Sequence, residues 1–153
     1  MKRQVVDIIR TGPGERARLD CGHETDADAG TAVGDVLECG GCDRGEMPEG
    51  FETYKQTPEF TQDTVPAALQ RAHSTKRGVW ARIVVAEGRL RYQVESTGLD
   101  TVLSPGTVGI VVPEVPHAVT PLGTVRFRVY FYRMPASAGD AADAEPLKPP
   151  APP

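Results

Sequence analysis

All three cysteines of this 153-residue chain, and one of its three histidines, lie between residues 21 and 42. Their spacing is Cys21-x-His23, then fifteen residues, then Cys39-x-x-Cys42. Three thiolates and one imidazole make the closed tetrahedral ligand set that structural zinc prefers. Glycines between the ligands relax the backbone so that both members of each pair can point at one ion. The sequence therefore predicts a structural zinc site made by Cys21, His23, Cys39 and Cys42.

The same segment has little hydrocarbon to bury, because every aromatic residue of the chain follows residue 50. Segments of roughly 40 residues or fewer usually need a metal, a disulfide or a partner to hold their fold. A disulfide or redox pair at Cys39 and Cys42, or three unrelated thiols, are the alternatives. A reducing cytoplasm disfavours a lasting disulfide, and no helix start follows Cys42 as it does in redox motifs. Metal binding would supply folding free energy directly.

A predicted hairpin leads into this ligand set. The stretches QVVDII, TGPG and ERARLD read as strand, turn and strand. A hairpin followed by two ligand pairs is the plan of a zinc ribbon. Residues 4–46 also resemble a small family of bacterial domains of unknown function with a CGH…CxxC signature.

From residue 48 onward, apolar and polar residues alternate. In TVRFRVYFYR, one face carries Val125, Phe127, Val129 and Phe131, and GRLRYQVE alternates in the same way. Turn signals recur at Glu87-Gly88, Thr97-Gly98, Pro105-Gly106 and Leu122-Gly123. Regular strands without a convincing helix predict an all-β sandwich or barrel.

Three stretches of this part carry a resemblance: EGFETYKQTPEF, VPAALQRAHSTKRGVWARIVVAEGRLRY and GIVVPEVPHAVTPLGTVRFRVYFYR. They resemble the cupin-like domain related to the N-terminal part of tellurite-resistance protein B, over about residues 48–133. The resemblance implies a cupin-type β-barrel (a double-stranded β-helix, or jelly roll). The expected organisation is a zinc-ribbon-like module at 1–47, the barrel at 48–135, and a disordered Ala/Pro-rich tail at 136–153.

The resemblance places His73 and His117 at cupin site positions. The usual cupin glutamate position falls on Ala81, and Lys76 stands where a second histidine is expected, so the common four-ligand iron or manganese centre is not assembled. Lys76 can hold an anion. His73 and His117 with Glu114 would make a weak divalent-ion site, and a second metal in the barrel is left open. The predicted ligand-binding residues are His73, Lys76, Glu114 and His117.

Net charge and apolar runs exclude some classes of partner. A net charge of -4 argues against nucleic-acid and membrane-surface binding, and no apolar run reaches 18 residues. The start of the chain lacks a signal-peptide cleavage site, so a cytoplasmic protein is expected. A homodimer is expected by fold analogy alone.

The expected function is binding of a small molecule or oxyanion, linked by resemblance to tellurite resistance and stress tolerance. One alternative is a metal-dependent cupin enzyme of dioxygenase or isomerase type that uses His73 and His117. The other is an interaction protein in which the barrel is structural. Tellurite-type proteins often continue into a methyltransferase domain, but this chain has no Gly-rich cofactor loop after a strand, and we expect that it is not a methyltransferase.

Overall fold

The computed structural model of the protein describes residues 1–12 and 14–134, so the predicted tail at 136–153 lies outside the described residues. The chain divides into two compact units, Met1–Glu49 and Gly50–Pro153. Both are mostly β, as the alternation of apolar residues predicts. None of the helices in the described part has the length and apolar character needed to cross a bilayer.

The N-terminal unit is a four-stranded antiparallel sheet with one short helix. Its strands lie in the order β3-β2-β1-β4. The elements are β1 (Lys2–Thr11), β2 (Gly14–Leu19), β3 (Glu24–Ala27), β4 (Val36–Glu38) and α1 (Gly40–Asp43). The hairpin predicted from QVVDII and ERARLD is confirmed as β1 and β2. The helix is a single turn that ends one residue after Cys42, and the sequence analysis did not predict it.

The core of this unit is small. Among its described residues, the buried apolar side chains other than cysteine are Val5, Ala17 and Leu19, each at most 1% exposed. The other buried side chains are the three cysteines and Arg3. Three small aliphatic groups contribute only a few kcal/mol of burial free energy, at about 1.5–3 kcal/mol for a large side chain. The sulfur cluster therefore occupies the place that a hydrocarbon core takes in larger domains.

The C-terminal unit is a six-stranded sheet joined by turns and two short 3-10 helices, Ala67–Gln70 and Glu95–Thr97. Its strands are β5 (Glu52–Gln56), β6 (Phe60–Thr61), β7 (Trp80–Val94), β8 (Leu99–Leu103), β9 (Val108–Val111) and β10 (Ala118–Arg133).

Two long antiparallel strands, β7 and β10, form the centre of this sheet. On the outer side of β7, β9 pairs with residues 81–84 and β8 pairs with residues 90–94. On the outer side of β10, β6 pairs with residues 126–127 and β5 with residues 130–133. Each end of the long pair thus has its own edge strands, which lets the two halves of the sheet enclose a common core.

A bulge next to Gly88 lets both halves of β7 face that core. Ile83 and Leu90 are both buried. On a regular strand an odd-numbered and an even-numbered residue would lie on opposite faces. Gly88 has φ +82°, and a Cβ there would lie 1.9 Å from the carbonyl oxygen of Thr124 on β10. The alternation shifts at a bulge, since Arg126 pairs with Glu87 and Phe127 with Val85, which leaves Ala86 without a partner on β10. Only glycine fits the left-handed, close-packed position that follows at Gly88.

The predicted buried face of β10 is confirmed, since Val125, Phe127, Val129 and Phe131 are all at most 8% exposed. They belong to one continuous apolar cluster that also includes Ala81 and Ile83 of β7. The mostly β architecture expected from the sequence is therefore observed. The finer expectation of a cupin-type jelly roll stays a prediction.

Candidate metal centre and ligand groove

Cys21, His23, Cys39 and Cys42 converge in the N-terminal unit. One ligand atom from each lies within 4.8 Å of all the others, and this is the one such group of three or more potential ligands in the described residues. The Sγ atoms of Cys21 and Cys39 are 3.7 Å apart. The Nδ1 atom of His23 lies 3.3 Å from both of these sulfurs and 3.7 Å from the Sγ of Cys42.

These distances fit a zinc tetrahedron. Bonds of about 2.3 Å to sulfur and 2.0–2.1 Å to nitrogen place neighbouring sulfurs about 3.8 Å apart, and sulfur about 3.6 Å from nitrogen. The observed separations of 3.3–3.7 Å fall close to these values. Four protein side chains supply the full tetrahedral set, and all three cysteines are buried, so the arrangement is that of a structural rather than a catalytic zinc site.

The local fold also selects which nitrogen of His23 faces the sulfurs. Helix α1 ends in a Schellman motif, in which the N–H of Gly45 donates to Cys42 and the N–H of Glu46 donates to Gly41. Gly45 supplies the left-handed φ of +67° that this motif requires. The carbonyl oxygen of Glu46 then lies 2.6 Å from Nε2 of His23. With Nε2–H donating to that oxygen, Nδ1 carries the lone pair that faces the sulfurs.

Gly41 makes room for the imidazole. A Cβ at Gly41 would lie 2.5 Å from Nε2 of His23 and within 2.8 Å of two ring carbons. The second glycine of Cys-Gly-Gly-Cys is therefore a packing requirement as well as a source of backbone freedom. The sequence alone indicates only the second role.

A buried arginine lies beside the sulfur cluster, and the sequence analysis missed it. Arg3 is 6% exposed, and its Nη1 lies 3.7 Å from the Asp20 carboxylate. The hydrogen bond with Cys21 lowers the pKa of Cys42, and the charge of Arg3 adds to this effect. The same sulfur–sulfur hydrogen bond, together with burial, raises the pKa of Cys21. Arg3 thus offers positive charge where a metal centre with three thiolates carries a net negative charge.

In the C-terminal unit the structure brings His73 and His117 together. Their backbones form an isolated antiparallel bridge, with both N–H···O distances at 2.8 Å. The two rings are edge to face with centroids 5.7 Å apart, and Tyr92 packs against His117 at 5.8 Å. The resemblance predicted that the two histidines are neighbours, although they are far apart in the sequence.

Burial favours the neutral form of both histidines. Burial lowers the pKa of His117 to about 4, and burial also lowers the pKa of His73. The Nδ1 atom of His117 lies 3.3 Å from the carbonyl oxygen of Val115, so Nδ1–H is the donor and Nε2 the acceptor. Neutral imidazoles are suited to accept a hydrogen bond or to bind a metal, and they do not attract anions.

His117 lines two different spaces. One is an enclosed cavity of about 10 Å³, lined by His73, Thr75 and apolar side chains. The other is an open groove of about 420 Å³ on the side of β8. Besides His117, the groove is lined by Ala72, Gln93, Val94, Glu95, Gly98, Leu99, Asp100, Pro116 and Ala118. The cavity has room for about one water molecule, so only the groove can take a larger ligand.

The other two predicted ligand-binding residues lie elsewhere. Lys76 and Glu114 are exposed and line neither the cavity nor the groove. Glu114 adopts a left-handed φ of +63°, with its N–H donating to the carbonyl oxygen of Thr75. In the described part of the chain, no third carboxylate, thiol or imidazole joins the two histidines as a metal-ligand group.

Comparison with known proteins matches the C-terminal unit. A family model described as the TehB-like domain matches residues 55–129. Two curated relatives from Haemophilus influenzae, each named "Probable S-adenosyl-L-methionine-dependent methyltransferase TehB", are 32% identical over 108 residues. The matches cover 60% of this chain and 38% of the relatives, so the chain spans well under half of their length.

Two solved structures share the fold. The crystal structure of a protein from Escherichia coli K12 has a TM-score of 0.55 at 22% identity, covering 60% of this chain and 98% of that one. The crystal structure of TehB from Haemophilus influenzae has a TM-score of 0.52 at 26% identity, covering 63% of this chain and 40% of that one. The first likeness concerns the fold alone.

These findings correct one expectation. The sequence analysis excluded a methyltransferase because no Gly-rich cofactor loop was found, and that exclusion is wrong, since both curated relatives are named as probable methyltransferases. The zinc-ribbon-like module that precedes this region is suggested by its Cys/His cluster alone. The family model and the TehB relatives together support a TehB-like domain over residues 55–129 of this chain.

Proposed function

We propose that the N-terminal unit is a structural zinc module and that the TehB-like unit binds a small molecule in the groove beside His117, in the service of tellurite resistance. The observation that carries the binding function is the groove itself, which the TehB-like unit builds around a buried histidine. The zinc module rests on the convergence of Cys21, His23, Cys39 and Cys42.

Three features support zinc in the N-terminal unit. The donor atoms are spaced as tetrahedral zinc requires, and a backbone carbonyl holds His23 in the ligating tautomer. The unit has too little buried hydrocarbon to explain its fold by burial alone. Structural zinc contributes roughly 10–16 kcal/mol in small zinc-dependent domains, which is enough to make up that deficit.

Size supports the groove as the ligand site. Pockets for small molecules typically measure roughly 300–1,000 Å³, and they combine apolar walls with a few polar groups. The groove of about 420 Å³ meets both conditions, with Leu99 and Pro116 beside Gln93 and His117. A cupin-type barrel that opens at this end is the finer fold that we propose.

The names of the relatives suggest the process in which the groove takes part. We propose that the TehB-like unit serves S-adenosylmethionine-dependent methyl transfer, the activity for which the Haemophilus relatives are named. Its own contribution is to hold a small reactant or product of that process. A metal-dependent cupin enzyme would need a third ligand beside His73 and His117, and no observation favours one.

A tolerance assay tests this function. The full chain is expressed in a tellurite-sensitive bacterial strain, and the lowest inhibitory concentration of tellurite is measured. Wild-type protein is expected to raise it, and His117→Ala to return it to the level of the empty vector. Val119→Ala is the matched control, because Val119 is buried and lines the cavity but not the groove. Absence of protection by the wild-type chain, or equal protection by His117→Ala, would contradict the proposal.

A further inference from the structure

We infer that the groove beside His117 takes a small organic cation that carries hydrogen-bond donors, and that it does not take an oxyanion. This inference rests on the proposed function of the groove and names the chemical class of its ligand. Three features of the groove wall carry it: the charge of the wall, its hydrogen-bonding groups, and the buried ring of His117 that lines it.

The charged residues that line the groove are both carboxylates. They are Glu95 and Asp100, and no lysine or arginine lines it. Asp100 is already paired, because Nε and Nη2 of Arg91 lie 2.9 and 2.6 Å from its two oxygens. Glu95 makes no ion pair with another described residue, so its negative charge is left for a ligand.

The remaining polar groups of the wall also present acceptors. The side-chain amide of Gln93 donates to Asp100 at 3.5 Å, which leaves its carbonyl oxygen to accept. His117 is 6% exposed, and its Nδ1 is directed to the carbonyl oxygen of Val115. The Nε2 atom of His117 has no hydrogen-bond partner within the described residues. A ligand that reaches this acceptor from the groove would satisfy it by donating a hydrogen bond, whereas an oxyanion has no hydrogen to donate to it.

The neutral state of His117 also favours a cation over an oxyanion. Since burial lowers the pKa of His117 to about 4, the imidazole carries no charge at pH 7 that could hold an anion. Lys76, which the sequence analysis assigned to anion binding, is exposed and does not line the groove. The wall therefore has acceptors and negative charge but no cation of its own.

Three probes of the same size and different charge test the inference: benzamidinium, benzamide and benzoate. Each is titrated into the full chain at pH 7, and binding is followed through the NMR shifts of the groove amides at Gly98 and Leu99. Benzamidinium is expected to bind about fivefold more tightly than benzamide, the gain from one charge pair at about 4 Å in water. Benzoate is expected to bind most weakly. Glu95→Gln should abolish the preference for benzamidinium, and Glu52→Gln, which changes an exposed carboxylate outside the groove, should preserve it.

The outcomes separate the ligand class from the function. Equal binding of all three probes, tighter binding of benzoate, or an unchanged preference in Glu95→Gln would overturn the inference and leave the groove as a binding site. If none of the probes shifts the groove amides, the inference is overturned as well, and the tellurite assay with His117→Ala decides separately whether the groove serves the proposed function.

Discussion

The two units of this chain solve the same folding problem with different chemistry. The N-terminal unit buries Val5, Ala17 and Leu19 around three cysteines, while the C-terminal unit buries a continuous cluster of seventeen side chains between the halves of one sheet. A chain of fewer than 50 residues cannot enclose much apolar area, and a longer chain can. Coordination chemistry therefore stabilises the first unit, and hydrocarbon burial stabilises the second. Loss of a metal ligand should therefore destabilise only the N-terminal unit, and disruption of apolar packing only the C-terminal unit.

The largest expected effect is that of removing a zinc ligand. Cys39→Ser should abolish stoichiometric zinc binding and unfold the N-terminal unit, because structural zinc contributes roughly 10–16 kcal/mol. Elemental analysis gives the zinc content, and amide NMR spectra report on each unit separately. Val33→Ser is the control, because Val33 is 63% exposed and belongs to the same unit. One full equivalent of zinc in Cys39→Ser would show that the four side chains do not act as a set.

The next effect should fall on the C-terminal unit alone. Gly88→Ala forces a side chain into a left-handed conformation and against a backbone oxygen, so it should destabilise this unit by about 2–5 kcal/mol. Gly98→Ala has a similar φ of +73° in open space, and about 1–2 kcal/mol is expected there. Urea unfolding of the two variants measures the difference. Equal destabilisation would mean that the close approach to Thr124 does not constrain β7.

Acidification should also act on the C-terminal unit. His117 has a folded pKa of about 4 and an unfolded pKa near 6.5, so the unfolded chain binds more protons between these values. Stability is therefore expected to fall by about 3 kcal/mol as the pH drops from 6.5 to 4, and His73 acts in the same direction. Comparison of the pH profiles of wild type and His117→Gln isolates the effect, with His73 and Tyr92 as the titratable neighbours of the ring. Parallel profiles would exclude a buried, neutral His117.

A smaller effect is expected when the ligating imidazole is displaced. Gly41→Ala places a Cβ against the ring of His23 and should weaken zinc binding about 10- to 100-fold, as loss of orienting contacts does at other zinc sites. Gly40→Ala is a matched control in the same turn, because its Cβ would meet only the mobile end of Arg44. Competition with a zinc chelator measures both affinities. A larger loss in Gly40→Ala than in Gly41→Ala would contradict the packing of His23 described above.

Periodicity and ligand spacing predicted much of this structure. The alternation of Val125, Phe127, Val129 and Phe131 predicted the buried face of β10, and the spacing of the cysteines predicted their convergence. These signals are local or depend on residue types that have few other reasons to cluster. The pairing of His73 with His117 followed from a family resemblance, since nothing in the spacing alone brings two distant histidines together.

Features that depend on the register of distant strands were not predictable in the same way. The groove is lined by Gln93 of β7, Asp100 of β8 and the segment before β10. Its negative charge can be predicted only when the pairing of these strands is known. Lys76 was assigned to the site from the cupin resemblance and Glu114 as a third ligand beside the two histidines, but both side chains are exposed. The carbonyl of Glu46 was missed as a partner of His23, although Gly45 three residues after Cys42 is a sequence signal for the helix end that positions it.

Zinc removal from the full chain, followed amide by amide in NMR spectra, tests the contrast between the two units most directly. If metal coordination stabilises the N-terminal unit, a strong chelator should move the amide signals of residues 2–46 to random-coil positions. Added zinc should restore them. The amides of β7 and β10 should remain in place throughout. An N-terminal unit that keeps its dispersed spectrum after complete loss of zinc would contradict the account.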